Sequence, residues 1–460
     1  MTARFGRVAV GRYEQNAVQP SKLDALRTAG EDASTCTVVG LACGSSHSVA
    51  VLANGTVLSW GRGEDGQLGH GDAEERVWPT AIFGLQGGEV TAVFCGAEYS
   101  AAVSTSTNSV FSWGWGDFGR LGHDDCQDLF VPKSIAGLAG RSVTTLACGD
   151  THTCAVTDSG ALLSFGRNQN GQLGLGTDDD ALTPTLVSAL EGHRITHVAC
   201  GAEHTVACCE DGKAYSFGWG RYGNLGDGHR TDRWLPTRIT QLEGKRIVTT
   251  ACGWRHSIVL DDQGCLHTFG WSKYGQLGHG SLADQTLPKP VMDLDGVRIT
   301  LVSGGWRHTV AADDTGCLYA WGWNKFGQLG SGSTVQIETR PVLIQPKFSD
   351  GQIIALACGW RHTLVADSLG QVFGWGRGVN GQLGCGNHTN HMKPVLLECL
   401  SAGTMDADAL LATASPESSF VPASDRYAVV PGRAPADTTS AAMAVPEFKK
   451  ARLDSVCQDR

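Results

Sequence analysis

The tetrapeptide Gly-Gln-Leu-Gly, or a close relative of it, begins at Gly66, Gly119, Gly171, Gly223, Gly275, Gly327 and Gly381, at successive intervals of 53, 52, 52, 52, 52 and 54 residues. A second marker keeps the same beat: ACGSSHS begins at Ala42, FCGAEYS at Phe94, ACGDTHT at Ala147, ACGAEHT at Ala199, ACGWRHS at Ala251, SGGWRHT at Ser303 and ACGWRHT at Ala357. Two independent markers with one period identify supersecondary modules, none able to bury its apolar face alone, which must stack on one another.

Within a unit, HSVAVLANGTVLSWG (47–61) and HTCAVTDSGALLSFG (152–166) alternate apolar and polar residues on either side of an Asn-Gly or Ser-Gly pair, the pattern of a β-hairpin. Seven such units without long helical periodicity predict an all-β chain folded as a seven-bladed β-propeller, whose closure removes the sheet edges that an open stack would expose. The units account for residues 37–398. The sequence predicts a flexible extension over 1–36. Over 399–460, where Ala, Ser, Pro and Asp dominate and large apolar side chains are few, it predicts a disordered tail.

Glycine supplies 61 of the 460 residues and charged side chains only 18%, which suits tight turns between short buried strands. A net charge of -10 argues against a nucleic-acid binder that works through a general basic field. No run of about 18 apolar residues is present, so no membrane partner is expected. The 16 cysteines accompany an amino-terminal stretch without a secretory pattern, which predicts a reducing compartment.

Cys43 and His47 are four residues apart, as are Cys148 and His152, Cys200 and His204, Cys252 and His256, and Cys358 and His362. Along one strand that spacing separates the side chains by roughly 13 Å, too far to share a zinc ion. These pairs are therefore read as packing and hydrogen-bonding residues, with no metal site. The glycine-rich stretches lack the Lys-Ser/Thr ending of a phosphate-binding loop, and seven copies indicate turn geometry. No serine stands out as a nucleophile, and the chain is read as a non-enzyme.

The variable slots carry the chemistry. The two residues after each Cys-Gly run Ser45-Ser46, Ala97-Glu98, Asp150-Thr151, Ala202-Glu203, Trp254-Arg255, Trp306-Arg307 and Trp360-Arg361. A second slot, within the loop that ends in Gly-Gln-Leu-Gly, runs Glu64, Asp117, Gln169, Arg221, Lys273, Lys325 and Val379. Acid lies early and base late in both. Because equivalent positions of a propeller share one face, the slots predict an acidic arc and a basic, tryptophan-rich arc, complementary to each other after a twofold rotation. Two copies are expected to dock face to face, with Arg255, Arg307, Arg361 and Arg167 meeting Asp117, Asp128, Glu203 and Glu64. Arg221, Arg377, Lys325 and Asp65 extend the charged ring.

Of the 13 tryptophans, Trp60, Trp113, Trp321 and Trp375 share a slot with Phe165, Phe217 and Phe269, which marks a core aromatic position. Trp254, Trp306 and Trp360 instead occupy a slot that elsewhere accepts Ser, Ala or Asp, so packing does not demand an indole there. Trp115, Trp219, Trp271 and Trp323 form a second tier. An arginine after each of the first three invites cation-π stacking.

The markers ACGxxHT and SWGxGxxGQLG resemble those of the regulator of chromosome condensation propeller family. The three GWRHT-type segments, WGWGDFGRLGH at 113–123 and DRYAVVP at 425–431 resemble the plant-type UV-B photoreceptors of that family. The resemblance implies a dark homodimer held by salt bridges, and a chromophore of intrinsic tryptophans with no bound cofactor. Trp306 and Trp254 would be the principal sensors and Trp360 auxiliary, with Trp115 contributed across the dimer. It implies light-driven monomers that bind the constitutively photomorphogenic E3 ubiquitin ligase, through its WD-repeat domain, by way of Tyr427, Val430 and Pro431, with Val421-Pro422 and Val445-Pro446 as competing Val-Pro pairs. WD-repeat repressor proteins, an association with chromatin, and residence in cytoplasm and nucleus are implied as well. The family's founding activity, guanine-nucleotide exchange on a small nuclear GTPase, and a non-sensory scaffold are the alternatives.

Overall fold

Each repeat folds into one antiparallel four-stranded sheet whose strands pair in sequence order. The computed structural model describes residues 37–85, 90–344 and 350–401. The expected flexible extension, most of the tail, and Tyr427, Val430 and Pro431 lie outside them. The first blade comprises β1 (Val38–Cys43), β2 (His47–Leu52), β3 (Val57–Gly61) and β4 (Arg76–Ala81). Six more blades follow over residues 92–134, 143–186, 195–238, 247–290, 299–343 and 353–396. The hairpin read at 47–61 is the pairing of β2 with β3, with Val51 opposite Val57.

The second strand of every blade is buried along its whole length, because blades pack face to face and leave water on neither side. The cores therefore lie between blades. Val38, Ala50, Leu52, Leu58 and Trp60 of the first blade share one core with Leu364, Ala366, Val372 and Leu397 of the seventh, which closes the ring.

The recurring histidine explains the second marker. Six imidazoles reach the next blade through Nε2 to a Ser or Thr hydroxyl, and Tyr99 makes the equivalent link in the second blade, all at 2.8–3.2 Å. Each hydroxyl in turn donates to a main-chain carbonyl in the Gly-Gln-Leu-Gly loop of the preceding blade, at 2.7–3.0 Å. A hydroxyl has one proton to give, so the histidine must supply the N–H of their shared bond. Burial pushes the six imidazoles down to about 3, which keeps them neutral. The glycine before them is obligatory: a Cβ on Gly44 would lie 2.2 Å from the His47 ring and 2.7 Å from the Gly96 carbonyl.

Cys43 and His47 do not share a strand, as the spacing argument assumed. They flank the turn between β1 and β2, closed by Gly44 N–H to the His47 carbonyl at 2.9 Å. The thiol turns the other way and reaches the Ala357 carbonyl of the seventh blade at 3.6 Å.

Candidate functional site

Two loops of each blade reach the same rim: the turn after the first strand, which carries the Trp-Arg or acidic pair, and the loop between the third and fourth strands. In the loops of blades 2, 4, 5 and 6 a tryptophan two residues after the core aromatic is followed, three residues on, by Phe118, Tyr222, Tyr274 or Phe326. In blades 1, 3 and 7 the same positions hold Arg62 with Asp65, Arg167 with Asn170 and Arg377 with Asn380. The loop thus comes in an aromatic and a polar edition.

The aromatic loops of blades 4 to 6 and the first-strand turns of blades 5 to 7 together form one cluster of Trp254, Trp271 and Trp306 with Tyr222, Tyr274, Trp323 and Trp360 packed against them. Trp306, 1% exposed, is its centre. Its ring lies 5.9 Å from Trp254 and 5.6 Å from Trp323, both edge-on, and stacks on Trp360 at 5.6 Å with 20° between planes. Trp254 meets Trp271 edge-on at 5.6 Å, and its Nε1 donates to the Asp150 carboxylate at 3.1 Å, two blades away. These separations are those of favourable aromatic pairs.

Guanidinium groups cover the indoles. Arg255 stands 3.7 Å from the Trp254 ring centre and 4.6 Å from Trp219. Arg307 stands 3.5 Å from Trp306, 4.4 Å from Tyr274 and 5.1 Å from Trp323, and its Nη1 donates to the Tyr274 hydroxyl at 2.9 Å. Arg361 lies 4.6 Å from Trp306, and Arg377 5.4 Å from Phe326. Each such contact is worth ~0.5 to 2 kcal/mol. The cationic rim continues in Arg221, Lys273 and Lys325, all exposed.

The opposite arc is ionic. Arg62 holds Glu64 at 2.5 Å, Glu98 at 3.7 Å and Asp65 at 3.9 Å, and Arg167 stands 3.9 Å from Glu203. Several carboxylates expected to meet a second copy therefore also have arginine neighbours in their own chain. Glu98 is buried, bonded to Ser45 Oγ and, at 2.9 Å, to Gln67 Nε2. Burial raises its carboxyl to about 7, against the pull of Arg62. Asp128 accepts the Gly116 N–H at 3.0 Å, a loop-closing bond that Asp180, Asp232 and Asp284 repeat in their blades, so its carboxylate has a structural duty independent of the face. Trp115 is separate from the aromatic cluster and stacks on Arg120 at 4.1 Å.

The four tryptophans of the core slot donate Nε1 to main-chain carbonyls of the adjacent blade at 2.9–3.0 Å, which is the packing role read from the sequence. Among the described residues, His152, Cys154 and Cys200 bring ligand atoms within 4.8 Å of one another. In the structure His152 Nε2 bonds to Thr205 Oγ1 at 2.8 Å and the Cys200 thiol to the Ala147 carbonyl at 3.5 Å, so both serve contacts between blades. The sequence reading overlooked Tyr222, Tyr274, Phe326, Phe118 and Arg120, and it placed Glu98 and Asp150 in the acidic slot without giving either a partner. An aromatic residue three positions after every second-tier tryptophan was the signal available for the first four.

The RCC1-like domain family matches residues 4–253, and the regulator of chromosome condensation (RCC1) repeat matches residues 263–312, 315–366 and 370–405. The ultraviolet-B receptor UVR8 of Arabidopsis thaliana is 51% identical over 398 residues, 86% of this chain and 90% of the relative. The crystal structure of human WBSCR16 superposes with a TM-score of 0.67 at 22% identity, covering 74% of this chain and 93% of that one. Yeast RCC1 (Prp20), in its complex with Kap60, gives a TM-score of 0.66 at 20% identity, covering 84% and 91%. At those identities the two structures speak for the fold alone. Repeat, ring and sequence together place this chain in the regulator of chromosome condensation propeller family, in the branch that holds the Arabidopsis ultraviolet-B receptor.

Proposed function

We propose that the chain is an ultraviolet-B receptor whose own indoles are the chromophore and whose dark state is a homodimer. The observation that carries this reading is the central placement of Trp306, in ring contact with three other indoles and under two guanidinium groups. Indole absorbs in the near ultraviolet, and closely packed indoles share their excitation, so the cluster needs no bound cofactor. Trp254 and Trp306 are the principal sensors and Trp360 assists, while Trp115 meets the cluster from a second copy.

Excitation displaces an electron among stacked rings that touch Arg255, Arg307 and Arg361. In the dimer these cations pair with Asp117, Asp128, Glu203 and Glu64 across the twofold axis, and the displaced charge weakens the pairs. Stranding one partner of a buried interfacial charge pair costs ~2 to 5 kcal/mol, and each ~1.4 kcal/mol is tenfold in dissociation constant. Two lost pairs therefore weaken association by roughly a thousandfold or more. The monomer then engages the E3 ubiquitin ligase through Val430 and Pro431, in cytoplasm and nucleus.

Irradiation of the purified protein, with apparent mass followed on a sizing column, tests the reading. Trp306→Phe is expected to remain a dimer in the dark and under ultraviolet-B. A Trp306→Phe dimer that separates under illumination as the parent does rejects the chromophore assignment.

A further inference from the structure

The second blade departs from its siblings at one position of the Gly-Gln-Leu-Gly loop. Five blades carry a glutamine there, Gln67, Gln172, Gln276, Gln328 and Gln382, the fourth carries Asn224, and the second carries Arg120. In all five glutamine blades the side-chain oxygen accepts the main-chain N–H two residues upstream, at Asp65, Asn170, Tyr274, Phe326 and Asn380, at 2.9–3.0 Å. A guanidinium has five donors and no acceptor, so it cannot make that bond.

The polarity of the second-blade loop is accordingly reversed. Arg120 Nε donates to the Asp117 carbonyl at 2.9 Å, and Phe118 takes φ 63° and ψ 10°. That left-handed conformation is one a bulky L-residue rarely adopts. None of the residues equivalent to Phe118 in the other blades has a positive φ. The peptide joining Asp117 to Phe118 is turned over relative to its counterparts, presenting a carbonyl where they present an N–H.

Glutamine fills the equivalent position in five blades, each of which has a clamp histidine where the second has Tyr99, whereas Arg120 is a fully buried charge. Its Nη1 donates to the Asp150 carbonyl at 2.7 Å, and its Nη2 has no hydrogen-bond partner among the described residues. A buried, incompletely satisfied cation is destabilising relative to a neutral amide. Three rings surround it: Trp115 at 4.1 Å and Phe118 at 5.6 Å, the latter also 4.7 Å beneath Arg167, on the face, and the buried clamp residue Tyr99 at 6.0 Å.

We propose that Arg120 is a positioning residue for the dimer face. It turns over the Asp117–Phe118 peptide to aim the Asp117 carboxylate, and it holds Trp115 by stacking. The inference rests on the homodimer reading above.

The test is Arg120→Gln in the full chain, with Arg120→Lys beside it. Glutamine is native to five equivalent sites, so the variant is expected to fold with a Tm at or above the parent's. The Phe118 amide should become protected from hydrogen exchange as the Gln oxygen takes it, and the dark dimer should weaken at least tenfold by analytical ultracentrifugation. Lysine, still a donor to the Asp117 carbonyl, should leave the Phe118 amide as it is in the parent and keep more of the dimer than glutamine does. An Arg120→Gln protein with the parent's dissociation constant overturns the proposal, as does one that loses dimer and Tm together. If the parent itself is monomeric in the dark, the homodimer reading falls. The Phe118 amide then decides the claim about the loop alone, and an exchange rate unchanged by Arg120→Gln refutes it.

Discussion

On the rim of blades 4 to 6 the loop between third and fourth strands sets Trp219 on Tyr222, Trp271 on Tyr274 and Trp323 on Phe326, each pair edge-on at 5.2–5.4 Å. On the rim of blade 1 the same backbone positions hold Arg62 and Asp65, 3.9 Å apart. One scaffold therefore yields a cation-covered aromatic surface on one side and an ionic surface on the other, by exchanging two side chains per loop. Below that face six blades are clamped to the next through histidine and the second through Tyr99, at equivalent positions, so the face is polarised while the joints of the ring stay alike.

That separation can be broken first at the hub. The six clamp histidines have a folded value of about 3 against 6.5 for the free side chain. Their contribution to stability is complete above pH 6.5 and is lost as pH falls toward 3, at about 1.4 kcal/mol per group and pH unit. Acid unfolding monitored by near-ultraviolet circular dichroism and by fluorescence should show both arcs collapsing in one transition. Two separated transitions would mean that the arcs are independent bodies.

A smaller effect compares single indoles. Trp306→Ala empties a fully buried site and should cost ~3 to 5 kcal/mol in denaturant unfolding. Trp115→Ala, at a half-buried position on the ionic side, should cost less than half as much. Equal losses would erase the distinction between a packed arc and an open one.

The smallest effect is a pH dependence confined to the ionic arc. Glu98 is raised from 4.5 to about 7 by burial, so its contribution is fully present below pH 4.5 and is lost as pH rises through 7. This opposes the histidine trend, and over that interval it amounts to roughly 1–3 kcal/mol. Glu98→Gln should steepen the gain in stability between pH 5 and 7 by removing the opposing term. A slope equal to the parent's shows that Glu98 does not titrate there.

The period of the two markers fixed the ring, because a repeat that cannot bury its own faces has few ways to close. Trp254, Trp306 and Trp360 were legible for a related reason: they stand where siblings tolerate serine or aspartate. Arg120 was not, since it occupies a slot dominated by glutamine, and only the hydrogen-bond direction at Phe118 shows what the exchange does. The loop-closing bond from Gly116 to Asp128 was not legible either, because it depends on a turn that spacing alone does not describe. The Cys-His spacing was misread as one strand for the same reason: Gly44 reverses the chain between them.

The seam between the last blade and the first repeats the histidine joint found at five of the six internal seams: His362 to Ser48, and Ser48 to the Gln382 carbonyl. No strand is borrowed across it. Each joint senses only its two immediate neighbours and is blind to how many others exist, so the number seven is not written in the clamps.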